Sequence, residues 1–448
     1  MRPWSIRNPV FNRAYKGYVL TTLTLVYTIG SLDQGLMSLL LQPIKDDLHL
    51  TDTQLGFLTG VAFGLFYAMA GLPVARWADR GNRATITSIA IALWGGTVML
   101  CVLVTNFAQL ALARMAAAIG GASCMPPTYS LVGDYFVTAA ERTRAMAVYM
   151  AANSLSAIVS FIAGGWLNER YGWRTTFFLL GIPGLMVAIL VTMTIAEPRK
   201  HLSRAQIQRA FPRMTEVFSI LWHQQSARHL IIAVILVFMM GWGLFPWYGA
   251  FMMRSHGLST GELGIWLGLI FGVAGTAGVL LGGHAAGRWF GQDERGQMRL
   301  LAVSMASLAP GVALFLFLSG TLPALIALTV TTVVLNVFFG PTFAILQRLV
   351  VDEMRATTLA VTMLLANAIG IGVGPQAVGV LSDLLRPELG SDSLRYAMLI
   401  ISFVALWAAY HFWRVGRTIE KDLSAVARHN ELDGSGPYGA VSNPAPPG

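Results

Sequence analysis

Uninterrupted apolar runs of about twenty residues recur from residue 17 to residue 412, and nothing else in this chain constrains its fold as tightly. A helix rises 1.5 Å per residue, so about twenty residues cross the ~30 Å hydrocarbon core of a bilayer. Twelve such runs are predicted, at 17–41, 55–75, 84–104, 107–132, 145–167, 175–195, 230–253, 263–286, 300–318, 322–346, 359–381 and 397–412. A membrane barrel would need segments of about ten residues with alternating polarity, whereas these runs are continuously apolar. Only 12% of the residues are charged, against about a quarter in an average soluble domain. The expected fold is therefore all-α and integral to the membrane.

The basic residues give the orientation, because Lys and Arg near span ends are retained on the cytoplasmic side. With the N-terminus inside, 24 of the 31 lie in cytoplasmic segments and six outside (Lys45, Arg170, Arg174, Arg254, Arg386 and Arg395); the last, Arg114, falls inside a span. Both termini are expected in the cytoplasm and the protein in the cell inner membrane. The net charge of +9 reads as this topology signal, with no nucleic-acid partner. The basic stretch 1–17 has no short apolar core ending in a cleavage site, so the first span is expected to act as the insertion signal. Cys101 and Cys124 fall in spans and read as small apolar residues.

The longest polar break, 196–229, divides the spans six and six: an N-terminal bundle at 1–195, a cytoplasmic loop, a C-terminal bundle at 230–413, and a cytoplasmic tail at 414–448 that is Gly/Pro/Ser-rich and expected to be disordered after Glu431. Shifting the chain by 212 to 214 residues brings Arg76-Trp77 onto Arg288-Trp289, Pro127-Thr128-Tyr129 onto Pro341-Thr342-Phe343, Asn153 onto Asn367, and Gly165 onto Gly379. A duplicated six-helix unit is the arrangement of secondary transporters that rock two halves about a central site.

After the second span stands GLPVARWADRGNR, residues 71–83. This resembles the loop signature of the major facilitator superfamily. Asp79, Arg80 and Arg83 sit at the cytoplasmic mouth, where ion pairs with Glu141, Arg142 or Arg144 of the next inner loop are expected to form a latch. LLQPIKDDLHLTDTQLGFLTG at 40–60, LARMAAAIGGAS at 112–123 and GIGVGPQAVGVLSD at 370–383 are similar to bacterial members of its spinster branch. The resemblance implies two six-helix bundles, alternating access and a polar cavity between the halves. Spinster relatives are associated with lysophospholipids and sphingoid lipids, and many bacterial relatives are expected to move small organic acids. The chain departs from the branch at Gln34, where an Arg is common, and at Gly121, where an acidic residue is common.

Two charges lie at membrane depth, where each costs about 2.5 to 3.5 kcal/mol. Asp33 in the first span and Arg114 in the fourth both sit roughly 11 to 14 Å below the outer boundary, so they can face each other. A proton on Asp33 would release Arg114, whose planar fork suits a carboxylate or phosphate. Asp33 is the expected proton site and Arg114 the anion anchor. Shifted by 214 they land on Trp247 and Leu328, so the second half carries no counterpart. Trp242, Trp247 and Tyr248 are expected to supply an aromatic wall, with Gln34, Tyr129, Asn153, Asn336, Asn367 and Gln376 as hydrogen-bonding groups and Pro126-Pro127 kinking the fourth helix. His284 and His411 read as interfacial.

No P-loop, HExxH or His/Cys cluster with metal-ligand spacing occurs, so no cofactor, metal or enzymatic activity is expected and the energy comes from a gradient. Two readings stand: proton-coupled transport of a small or amphipathic organic anion, or export of a lysolipid, sphingoid or other hydrophobic compound. The fifth span lacks the proline of the antiporter signature, which leans against drug export. The partners expected are the bilayer, the substrate and a proton, with a monomer as the working unit.

Overall fold

The computed structural model describes residues 12–198, 214–291, 293–351 and 354–432. Nine helical stretches among them are long and apolar enough to cross a membrane. Two of these turn back at a glycine with positive φ, Gly172 in the stretch Ala139–Thr194 and Gly390 in the stretch Thr357–Val426, so each supplies two crossings. The first span, helices Arg13–Gly30 and Leu32–Leu48, completes the expected twelve.

Polar residues at the ends of the apolar runs fix where the helices start. Asn82, Asn106 and Thr138 accept backbone N–H bonds as N-caps of the third, fourth and fifth spans. Thr51 with Gln54, and Ser259 with Glu262, form reciprocal capping boxes at the second and eighth spans, equivalent positions of the two halves. The start of the second span is thus repeated at the start of the eighth, 208 residues on.

Packing follows the same pseudo-symmetry. The second span lies on the eleventh, its mate the eighth lies on the fifth, and the first lies on the seventh. Glycines allow these close crossings: a Cβ on Gly56 would stand 2.7 Å from the Pro375 carbonyl oxygen, and one on Gly264 2.4 Å from that of Phe161. The eighth and eleventh spans each carry a short π-helical segment at these seams, Gly268–Ala274 and Ala366–Ile371.

The seams concentrate on one end of the bundle, the end of Asp52. There Arg254 and Ser382 reach Asp52, Asp383 receives the N–H groups of Asp52 and Thr53, and Asn168 donates to Thr260. At the opposite end, the ion pairs Lys16–Glu141, Arg83–Asp134, Arg295–Glu420 and Arg348–Glu294 each stay within one half. Gly71 and Gly133 at that end have nothing within 4 Å of a would-be Cβ. The halves are thus sealed at the Asp52 end.

The connecting segments carry helix of their own. The central polar segment holds a helix, Met214–His223, with Leu221 buried, while residues 199–213 lie outside the described residues. The last helix, Val404–Leu432, runs past the apolar run to the start of the Gly/Pro/Ser-rich stretch; residues 433–448 lie outside the described residues.

Candidate functional site

The first span breaks at Ser31, which is αR but ends one helix and begins another. Asp33 is thereby placed in the first turn of Leu32–Leu48, where the partial positive charge of a helix N-terminus favours a carboxylate. Arg114 comes from the fourth span, Phe107–Tyr135, which runs through Pro126 and Pro127 as one helix. Nη1 of Arg114 donates to Oδ1 of Asp33 at 2.5 Å, and both side chains are at most 4% exposed. Nε of Arg114 donates to the Leu58 carbonyl at 3.4 Å, and the guanidinium lies 4.9 Å from the ring centroid of Phe63. Oδ2 of Asp33 is buried with no partner among the described residues. Burying an ion pair is costly unless every polar atom is met, so this oxygen is the exposed flank of the pair's energetics.

A hollow between the halves is lined by Arg114 with Gln34, Met37, Phe63, Trp242 and Phe245. A second hollow, lined by Tyr27, Gln34, Phe63, Tyr67 and Met125, shares Gln34 and Phe63 with it. Asp33 lines neither, although Gln34 beside it lines both. Tyr27 stacks on Tyr149 at 5.0 Å, and Tyr129 meets the edge of Tyr149 at 5.2 Å. Tyr149 exchanges a hydrogen bond of 2.5 Å with Thr128, and the Tyr129 hydroxyl donates to Sδ of Met150. Tyr27, Phe63, Tyr67 and Tyr149 were not singled out from the sequence. The available signal was spacing: Tyr27, Ser31 and Gln34 recur at i, i+4, i+7 on the face of the first span that carries Gln34.

The other expected polar groups scatter. On the fifth span, Tyr149, Ala152, Ser156 and Ser160 are buried in the N-terminal half, while Ser154 and Gly165 meet the eighth span. Asn153 lies on the strip between these faces and is exposed. Asn336 donates to its own helix at the Thr332 carbonyl and packs beside Gly278. Asn367 is half-buried in the π-helical segment of the eleventh span, and Gln376 donates to the Thr53 carbonyl across the seam.

Several expectations are corrected. Trp247 is not a cavity wall: it is fully buried and its Nε1 donates to the Pro375 carbonyl at 3.2 Å. Tyr248 is buried among Phe271 and Phe315, so of the three aromatics only Trp242 borders the hollow. Arg83 does not reach the Glu141 loop. It is fully buried and binds Asp134, Glu197 and Ser130, bracing the start of the third span to the ends of the fourth and sixth. Glu141 pairs instead with Lys16, Arg142 donates to the carbonyls of Gly133 and Phe136, and Arg80 and Arg144 are exposed. The Asp79 side chain lies outside the described residues. His284 is exposed, but His411 is buried, with Nδ1 at 2.8 Å from Nδ1 of His229.

Comparison with known proteins gives these features a setting. The family profile described as Major Facilitator Superfamily matches residues 23–375. The chain belongs to the Major Facilitator Superfamily. It is a multi-pass membrane transporter, similar to an "MFS-type efflux pump" of Mycolicibacterium smegmatis, 32% identical over 91% of this chain and 94% of that one. It is also similar to "Protein spinster homolog 1" of Xenopus tropicalis, 24% identical over 91% and 82% of the two chains. Among solved structures, a bacterial homologue of the human lysosomal transporter Spinster, in an inward-facing and unoccupied conformation, superposes with a TM-score of 0.80 at 26% identity, covering 92% of this transporter and 99% of that chain. The resemblance to the spinster branch read from the sequence therefore stands.

Proposed function

We propose that this transporter carries an amphipathic organic anion together with a proton by alternating access, in the inner membrane with both termini in the cytoplasm. The observation that carries the reading is that Arg114 borders the hollow between the halves and Asp33 does not. An anion entering the hollow meets the guanidinium, and Asp33 holds it from behind. While Asp33 is ionised, the pair is neutral and Arg114 is occupied. A proton on Asp33 removes the competing carboxylate, and the fork of Arg114 becomes available to a carboxylate or phosphate. Proton and anion thus favour each other's binding, which is the thermodynamic content of symport. The aromatic and methionine lining around Gln34 suits an apolar body attached to the anionic group. Lys and Arg asymmetry supports the orientation, and it makes the sealed Asp52 end the periplasmic one.

The test is uptake into proteoliposomes under an imposed pH gradient, offering organic acids and lysolipids. Asp33→Asn is expected to abolish gradient-driven accumulation while preserving exchange of labelled for unlabelled anion. Arg114→Ala is expected to raise the anion half-saturation concentration about 100-fold, a charged hydrogen bond being worth ~1.5–3 kcal/mol. Full accumulation by Asp33→Asn would refute the proton role. A second reading, export of a hydrophobic compound, is favoured by the aromatic hollow and by similarity to an efflux pump. It predicts lysolipid or dye movement that survives Arg114→Ala.

A further inference from the structure

The seal at the Asp52 end is lopsided, although the fold around it is symmetric. The second and eighth spans start with equivalent capping boxes, which align Asp52 with Thr260. Their partner spans carry Ser382-Asp383 on the eleventh and Asn168-Glu169 on the fifth, again equivalent positions. On the eighth-span side the polar contacts across the halves are neutral: Asn168 donates to the Thr260 hydroxyl at 3.0 Å, and that hydroxyl donates to the Gly165 carbonyl at 3.4 Å. The Glu169 carboxylate lies against Gly261, where a Cβ would collide with it. No cation joins this side among the described ion pairs.

On the second-span side, Asp52 is 2% exposed and is bound from three other spans. Arg254 of the seventh span donates to both carboxylate oxygens at 2.8 Å, Ser382 of the eleventh donates at 2.6 Å, and Lys45 of its own half pairs with the same carboxylate. Asp383 reaches back across the seam to the N–H groups of Asp52 and Thr53 at 3.1 and 2.7 Å. Arg254 is further held by Gln42 of the first span at 2.6 Å. Moving the halves apart at this end breaks all the cross-half bonds to Asp52 together and leaves it with Lys45 of its own half. Two charge-assisted bonds from one guanidinium are stronger than neutral hydrogen bonds, so this side holds the halves together more firmly than the Thr260 side.

We propose that Asp52 and Arg254, backed by Ser382 and Asp383, are an ionic latch that sets the resting conformation closed at this end, and that the neutral Thr260 side contributes little to that bias. The inference rests on alternating access but not on the identity of substrate or coupling ion. Its role is positional: the latch touches no substrate, and it biases the equilibrium between the two access states.

The experiment measures that equilibrium without substrate. Spin labels at Ala108→Cys on the fourth span and Leu322→Cys on the tenth, with Cys101 and Cys124 replaced by serine, report the distance across the Asp52 end by pulsed electron resonance in nanodiscs; both label sites are exposed. The parent is expected to show mainly the short, closed distance. Asp52→Asn and Arg254→Gln are each expected to raise the open-to-closed ratio on the order of ten-fold or more, and the double variant no further than the single ones, because each removes the same pair. Ser382→Ala leaves every charge paired and is expected to shift the ratio in the same direction by less. Thr260→Val should leave it unchanged. Distributions for Asp52→Asn, Arg254→Gln and Ser382→Ala that superpose on the parent overturn the latch, and an equal opening in Thr260→Val overturns its asymmetry. Failure of the proton–anion reading appears in the uptake assay instead, with these distances unaffected.

Discussion

At the scale of single residues, the centre of the molecule is one carboxylate and one guanidinium placed at the same depth from different helices. Counting residues from the span ends was enough to suggest that Asp33 and Arg114 could meet, because a helix converts sequence position into depth at a fixed rise. What counting could not supply was which of the two faces the hollow, since that depends on helix rotation. Arg114→Lys tests the fork: it keeps the charge beside Asp33 but replaces planar, two-pronged donors by a point charge. Its anion affinity is expected to fall about ten-fold with pH-driven accumulation retained, measured by equilibrium binding and uptake. Trp247 makes the opposite point. Its place in a span suggested a cavity wall, yet its Nε1 serves the Pro375 carbonyl. Trp247→Phe is expected to lower stability by about 1 kcal/mol, one net hydrogen bond, with transport rate unchanged. Thermal unfolding in detergent beside uptake checks both halves of that statement.

At the scale of elements, the seams are built on glycines facing carbonyls. Gly56 against Pro375 and Gly264 against Phe161 bring backbones too close for any side chain, so a larger residue must push the spans apart at that end. Gly56→Val and Gly264→Val are each expected to hold the Asp52 end open, read as faster labelling of Met37→Cys by an impermeant thiol reagent applied to that face. Substitution of Gly96, which meets nothing within 4 Å, is the matched control. The glycines themselves are visible in the sequence, but 46 of them are present and most need no such explanation. Which ones carry a crossing is decided by the helix lying opposite. The tyrosines behave likewise: Tyr27, Tyr67 and Tyr149 come from three spans, and their convergence has no signature along the chain.

At the scale of the whole molecule, the proposed alternating access requires the two halves to separate at one end while approaching at the other. Asn168→Cys with Thr260→Cys places two thiols where a 3.0 Å hydrogen bond now joins the halves at the sealed end. Oxidation is expected to abolish uptake, and reduction to restore it, while anion binding from the opposite end survives. Uptake that continues under verified cross-linking would mean that this end need not open.

Much of the architecture follows from the chain alone. Apolar run lengths set twelve spans, polar residues at their ends set where helices begin, and internal similarity set the two-bundle plan. All of these are local or periodic properties that a linear reading preserves. The partners of charged residues at span ends were not preserved in it. Arg83 reads as a loop charge beside Glu141 but is buried against Asp134 and Glu197, and Asp52, which carries no mark along the chain, gathers Arg254 from 202 positions away. The tertiary structure alone decides these, because a charge drawn out of water takes its partner from whichever helix packs against it, and sequence distance places no limit on that choice.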